Sequence, residues 1–454
     1  MAMGCDHTYE NDEEKGISMK RVLLCLLCLC FMGYLGYSDT IKKEKAEIGY
    51  LDLDAMSFKK EVGKIAPWTS FANPRFLKVE ERIQKDVENG FPGAVLLVEQ
   101  GGEIVYFKSF GYLKKYDENT LLDQPVPLQI DTMFDIASLT KIYSTTLALM
   151  KLYDEGKIAL DDRVCKYLPA FDKSPYDQIT IRHLLTHTSG LPADFQFFRE
   201  TGDYFSKDRE KTITLLDDVS LINSVGTKQV YSDIGFMILG TVVEVAANEM
   251  LDSFVSNKIY KPLGIDSMIT YKPLEHGIAQ NAIACTECRG NTRGGTVDFP
   301  GIRTYTLQGE VHDEKAYYSM GGVSGHAGLF ANAQAINTLN QVLLHGVTAQ
   351  GIALFSEDTI HTFTAINTKL RHQLGFANAA TYKTLAPVVS KQALCHNGWT
   401  GTFSLIDYEK DLSIVLLTNK RHSLFKNQAF AGSAFDTGQY YSIAADVYAC
   451  LQMQ

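Results

Sequence analysis

The sequence predicts an α+β fold, an α/β/α sandwich whose mostly antiparallel sheet takes strands from both chain ends around an inserted helical lobe. Three observations predict it. Ala94 to Glu99 and Ile104 to Phe110 are β-rich runs flanking Gln100-Gly101-Gly102, the pattern of an antiparallel hairpin closed by a glycine turn. Near the other end, Gly401 to Tyr408 and Leu412 to Asn419 are strand-like and separated by Glu409-Lys410-Asp411. Between them, from Asp135 to roughly Lys261, the pattern is helical, with breakers at Glu155-Gly156, Ser189-Gly190 and Lys261-Pro262. One sheet covered by helices is the economical assembly of such segments.

In chain order, residues 1–38 come first. Lys20 and Arg21 precede the uncharged run Val22 to Tyr37, the arrangement of a secretory signal or a short membrane anchor. The run is short for a span of roughly 20 apolar residues, and Gly36-Tyr37-Ser38 offers small residues for cleavage after Ser38. Glu10, Asp12, Glu13 and Glu14 suit a signal poorly, which makes Met19 an alternative start. Cys28 and Cys30 each follow a leucine, where a lipid-attachment site wants a small residue. Export to the periplasm or cell envelope is expected, with membrane attachment through this segment if it is retained. Residues 39–89 form a polar, helix-prone lead-in, and residues 90–454 the main domain. Within it, a glycine-rich stretch runs from Gly290 to Gly328, and a last helix is expected near Ser442 to Leu451.

Composition excludes several classes. The 454 residues are 45% hydrophobic and 21% charged, an ordinary globular balance. A net charge of -10 argues against a nucleic-acid surface, which needs clustered Lys and Arg. Cys5, Cys25, Cys28 and Cys30 lie in or before the leader, and Cys165, Cys285, Cys288, Cys395 and Cys450 remain. Cys285 and Cys288 have knuckle spacing, but no second pair supplies further ligands; a local disulfide or two free thiols is the expectation. Gly290 to Gly295 lacks the lysine and helix context of a phosphate loop.

The catalytic signal starts at "FDIASLTKIYST", Phe134 to Thr145. With a helix starting near Ala137, Ser138 and Lys141 share one face of its first turn. A lysine in an apolar site is expected to have its pKa lowered, so that its neutral amine can take the serine proton, and the helix start offers backbone N–H groups to an oxyanion. Taken alone, the tetrad also fits a serine N-cap with a surface lysine. Two further stretches decide otherwise: Tyr231-Ser232-Asp233 in "VYSDIGFMILG" and His396-Asn397-Gly398 in "CHNGWTGTFSLID".

In that order the three resemble the S-x-x-K, Y-x-N and K-T-G or H-x-G motifs of the class C β-lactamase and low-molecular-mass penicillin-binding family of serine hydrolases, with its related esterases. "LLTHTSGLP" (Leu184 to Pro192) and "GGVSGHAGLF" (Gly321 to Phe330) are similar to family text as well, and the resemblance covers about Phe91 to Asn419. It implies a β-lactamase/transpeptidase-like fold, Ser138 as nucleophile, Lys141 as proton acceptor and Tyr231 as proton relay to the leaving group. It also implies an oxyanion hole from the N–H groups of Ser138 and Trp399, a strand beginning at His396 that forms the far wall of the site, and His396 with Asn397 orienting a substrate carboxylate or acyl group. A histidine at 396 gives a weaker, pH-dependent positive charge than lysine.

Asp233 departs from the family's asparagine and is expected either to pair with Lys141 or to select a cationic substrate group. Trp399 suggests an apolar acyl pocket or simple packing. His183 and His187 have an i, i+4 zinc-like spacing without the glutamate of a metalloprotease helix, so no metal is expected. His312, Asp313, Glu314 and His326 either line the cleft or, as expected here, are loop residues making hydrogen bonds, and Tyr317 and Tyr318 are read as packing. The expected activity is an exported serine acyl hydrolase without cofactor, a D-alanyl-D-alanine carboxypeptidase of penicillin-binding type acting on a small-molecule or peptidoglycan-peptide substrate. An esterase or β-lactamase of the same fold, and a catalytically silent peptidoglycan- or ligand-binding module, are the alternatives.

Overall fold

Strand β1 (Gly93–Gln100) turns through Gly101 and Gly102 into β2 (Glu103–Asp117). Both glycines have positive φ, 64° and 81°, the conformation that matches a tight turn to the twist of its strands. The computed structural model describes residues 70–452, of which 70–366 and 370–452 form one unit. The readings of the leader, its four cysteines and its cleavage site fall outside the described residues.

The sheet continues with β3 (Thr120–Pro127) and, from the far end of the chain, β4 (Ala377–Asn378), β5 (Ala393–Asn397), β6 (Phe403–Asp407) and β7 (Leu412–Thr418). Its seven strands run in the order β3-β2-β1-β7-β6-β5-β4, all neighbours antiparallel, with β1 and β7 side by side at the centre (Ala94 opposite Thr418). The first and last segments of the sheet are thus joined, as the sequence predicts.

Helix α1 (Leu77–Glu88) comes from the lead-in and buries Val79, Ile83 and Val87, spaced three to four residues apart. With the terminal helix, here numbered α5 (Tyr441–Gln452), it covers the sheet face formed by Ala94, Leu96, Val98, Leu412, Ile414 and Leu416. The opposite face is covered by α4 (Ala333–His345) and carries polar groups that α4 pairs with: Asn337 and Gln341 donate to Glu99 Oε2, and Asn340 donates to Ser404 and Ser413. Buried polar groups paired in this way cost little, whereas each left unpaired would cost about 1–3 kcal/mol. The remaining labelled helices, α2 (Leu147–Asp154) and α3 (Asp233–Ala247), belong to the inserted lobe. Among the described residues no single helix is long and apolar enough to cross a membrane.

Candidate active site

The nucleophile turn is built by one buried carboxylate. Phe134–Asp135 pairs with Leu329–Ala331, and Asp135 then accepts the N–H groups of Ala137 (2.8 Å) and His312 (2.6 Å). This clamp holds Ala137 at a φ of +47°, a conformation costly for a residue with a Cβ. A 3₁₀ turn, Ala137–Leu139, follows, then a π-helical segment, Lys141–Thr146, and only then α2. The chain does turn helical at Ala137, but the irregular start is what sets Lys141 Nζ 3.2 Å from Ser138 Oγ.

Lys141 is fully buried. Its ammonium has three N–H bonds, and three acceptors meet it: Ser138 Oγ, Asp233 Oδ1 at 2.8 Å and the His326 carbonyl at 3.0 Å. Burial, the largest single influence, would push its pKa down, yet the Asp233 carboxylate and the Tyr231 phenol together outweigh it and the net shift is upward. The expectation of a lowered lysine is corrected: the resting side chain is a cation. Asp233 shows the converse balance, with burial opposed and overcome by the Lys141 and Lys315 ammonium groups, and its pKa lies below the ordinary carboxylate range. Of the two roles open to Asp233, pairing with Lys141 is the one the structure displays.

Asp233 opens α3, where the helix dipole also favours a carboxylate. Ser232 caps that helix through Gly235 N–H, donates to Pro192 O and gives its own N–H to His187 Nδ1 (3.0 Å). The "LLTHTSGLP" segment therefore anchors Tyr231-Ser232-Asp233, and His187 serves as an acceptor in that anchor while His183 closes a capping box with Thr180. Burial raises the pKa of the Tyr231 phenol against the opposing charge of the neighbouring Lys141 ammonium. Lys141 Nζ stands 4.9 Å from the Tyr231 ring centre.

The third motif closes the site. Thr400 and Thr402 donate to the carbonyls of Asp135 and Ile136 (2.7 and 2.9 Å), stitching the β5–β6 connection onto the nucleophile turn. Gly398 fits there because it has no side chain. A Cβ would stand 2.2 Å from Thr402 Oγ1 and 2.4 Å from Ile136 O. Gly398→Ala is expected to push this strand off the turn and lower kcat/KM about 100-fold with the fold retained, checked by steady-state kinetics beside circular dichroism.

Two expectations for this strand change. His396 is buried and its pKa is pushed down to about 3, first by burial and then by the Lys141 charge, so at neutral pH it carries no positive charge. Its Nδ1–H donates to Asn397 O (2.9 Å), and among the described residues the buried Nε2 has no partner. The Asn397 amide donates to the Tyr441 hydroxyl (2.7 Å), which ties the side chain to the start of the C-terminal helix. Trp399 stays 53% exposed, with the Arg421 guanidinium 3.8 Å from its ring centre, and is not packed in the core.

The sequence reading missed Asp135, Lys315, Asp194 and His372. Lys315 donates to Asp194 (2.8 Å), Asp233 (3.2 Å) and Asp313 (3.3 Å), and Asp313 in turn meets His326 Nε2 at 2.9 Å. Asp313 and His326 do make loop hydrogen bonds, as expected, but around Lys141. His372 stacks near Tyr231 (5.4 Å) and His187 (5.1 Å). Cys285 and Cys288 are buried free thiols, and burial pushes the Cys285 thiol up to about 12. Tyr317 stacks under Arg303 at 3.6 Å, a packing role.

A family model described as Beta-lactamase matches residues 79–437, which hold all three motifs. The chain belongs to the beta-lactamase family. Similar proteins include the N-acetylmuramyl-L-alanine amidase of Bacillus subtilis (strain 168), 41% identical over 404 residues, or 85% of this chain and 91% of the relative. The protein named "Putative D-alanyl-D-alanine carboxypeptidase" of Escherichia coli (strain K12) is 39% identical over 429 residues, 89% of this chain and 99% of the relative. Among solved structures, a penicillin-binding protein homologue from Caulobacter crescentus superposes with a TM-score of 0.63 at 21% identity, covering 84% of this chain and 99% of that one. A family VIII carboxylesterase gives 0.62 at 19%, covering 84% and 99%. The last two establish the β-lactamase/transpeptidase-like fold. As a beta-lactamase family member the protein is a serine hydrolase related to penicillin-binding proteins and esterases, as the motifs predict.

Proposed function

We propose that this protein hydrolyses an amide of a peptidoglycan fragment through an acyl-enzyme on Ser138, with an alanine as the departing amine. The observation that carries the reading is Ser138 Oγ held 3.2 Å from a Lys141 ammonium that Asp233 and the His326 carbonyl fix from the other side. The names of the amidase and carboxypeptidase relatives both describe cleavage at an alanine, which supports the leaving group.

Because the resting ammonium already donates to Ser138, the reactive state holds one proton fewer in the Lys141–Tyr231 couple, and the two titrate as a unit. Ser138 Oγ bonds to the carbonyl carbon and its proton enters the couple. The carbonyl oxygen becomes an oxyanion at the N–H groups of Ser138 and Trp399. As the C–N bond breaks, Tyr231 delivers the proton to the alanine nitrogen. Water then adds to the acyl-serine ester with the couple as base, and Ser138 recovers its proton. Since both couple members hold their protons above ordinary values, kcat/KM should climb with pH. Asp233→Asn removes the carboxylate that retains the Lys141 proton and is expected to move that acid limb to lower pH. A limb that stays in place would show that Asp233 does not set the couple.

The reading is tested by incubating the protein with N-acetylmuramyl-L-alanine, an N-acyl-D-alanyl-D-alanine and a p-nitrophenyl ester, and measuring released alanine or phenol. Alanine release that Ser138→Ala abolishes is expected. Ester hydrolysis with no amide cleavage would move the assignment to an esterase, and ligand binding without turnover to a silent module. Export belongs to the same proposal, supported by Lys20 and Arg21 ahead of the uncharged Val22 to Tyr37 run. Cell fractionation that finds the protein only in the cytosol would refute it.

A further inference from the structure

We infer that Lys315 is a positioning residue that sets the working pH of the Lys141–Tyr231 couple by sharing the Asp233 carboxylate with Lys141. This rests on the Ser138 acyl-transfer reading above.

Asp233 divides its two oxygens between two ammonium groups, Oδ1 to Lys141 at 2.8 Å and Oδ2 to Lys315 at 3.2 Å. Lys315, 7% exposed, also reaches Asp313 Oδ2 at 3.3 Å. Asp313 Oδ1 meets His326 Nε2, His326 Nδ1 meets Ser324 Oγ at 2.7 Å, and the His326 carbonyl returns to Lys141 Nζ. The contacts close a ring: Lys141, Asp233, Lys315, Asp313, His326, and Lys141 again. The Lys315 ammonium bridges the Asp233 and Asp313 carboxylates. Outside the ring Lys315 also meets Asp194 at 2.8 Å, whose side chain is 42% exposed.

A carboxylate facing two cations holds the proton of each less tightly than a carboxylate facing one, and the second cation repels the first directly. In this low-dielectric site both effects favour proton loss from the couple. Lys315 therefore offsets part of the upward pull of Asp233 on Lys141. The other titratable groups facing the couple are His187, His372 and His396, which burial keeps neutral, together with Asp313 and His326 of the ring. Asp194 tempers the arrangement from outside by drawing Lys315 away from Asp233.

The test is the pH dependence of kcat/KM for alanine release by the full chain and three variants. Lys315→Met should move the acid limb to higher pH, so that kcat/KM at pH 6 falls about tenfold while the alkaline plateau changes little. Lys315→Arg should restore the wild-type limb. Asp194→Asn, a change at a partly exposed side chain that folding tolerates, should move the limb the other way, to lower pH. In the Lys315→Met/Asp194→Asn double variant the Asp194 effect should vanish, because it acts through Lys315. Limbs that stay in place, a shift of the same sign for both single variants, or an Asp194→Asn effect that persists in the double variant would overturn the inference. Wild-type turnover that survives Ser138→Ala would instead overturn the acyl-transfer reading on which it rests.

Discussion

Replacing Ser138 with alanine is expected to lower amide turnover by at least about 10⁴-fold, because the step lost is covalent and no other group near the carbonyl can supply it. The thermal midpoint should stay where it is. The hydrogen bond from Lys141 to Ser138 Oγ is one of three that the ammonium makes, and the Ala137–Leu139 turn is held by Asp135, which the substitution does not touch. Lys141→Met gives an informative contrast. It removes the proton couple, one of the two ammonium partners of Asp233 and the donor to the His326 carbonyl, so activity and stability should fall together, the latter by about 1–3 kcal/mol. Steady-state kinetics and thermal melts of both variants check this. A Ser138→Ala protein with substantial turnover would contradict the assignment, and a Lys141→Met protein as stable as wild type would contradict the ion pair.

Acid is expected to unfold the protein well before carboxylates are titrated. Burial keeps His396 and His422 neutral, with pKa values pushed down to about 3, and His372 at about 4; His187 lies well below its ordinary value for the same reason. Specific bonds require the neutral rings: His422 Nε2 accepts the N–H groups of Lys115 and Tyr116, and His187 Nδ1 accepts that of Ser232. In the unfolded chain each histidine takes up its proton near pH 6.5. Since the folded values lie lower, the stability these residues contribute is fully present above pH 6.5. It is lost as pH falls from there toward 3–4, at about 1.4 kcal/mol per pH unit for each group. By pH 5, His396 and His422 together withdraw about 4 kcal/mol, a large part of a typical domain's stability. The urea midpoint should therefore drop steeply between pH 7 and pH 5. A flat midpoint across that interval would show that these rings are not held neutral. His187 adds a functional consequence, because its protonation releases the Ser232 bond that anchors Tyr231 and Asp233.

The parts of this molecule legible in its sequence are those with local causes. The hairpin at Gly101-Gly102 is dictated by turn chemistry, the paired strands around Glu409-Lys410-Asp411 by composition, and the helix at Tyr441–Gln452 by periodicity. Ser138, Lys141, Tyr231 and Asp233 converge as the ordered motifs predict, because each sits at an element start that its neighbours fix. What sequence does not carry is the charge balance. Whether Lys141 is neutral or cationic depends on a carboxylate 92 positions away, and the charge of His396 on how deeply β5 is buried. Lys315 lies in "HDEKAYYS", a polar stretch that reads as solvated loop. Only the fold turns it inward to Asp233 and Asp313. Asn397 shows the reverse: its neighbours His396 and Gly398 face the site, and strand alternation, applied strictly, would have pointed the amide at Tyr441.

The central claim, an acyl-enzyme on Ser138, is tested most directly by intact mass. The protein lacking residues 1–38 is mixed with benzylpenicillin, quenched with acid at successive times, and the modified peptide is mapped. The account predicts an adduct of one penicillin on the peptide that contains Ser138, absent from Ser138→Ala. No adduct at any time while the antibiotic stays intact, or an adduct on another residue, would contradict it.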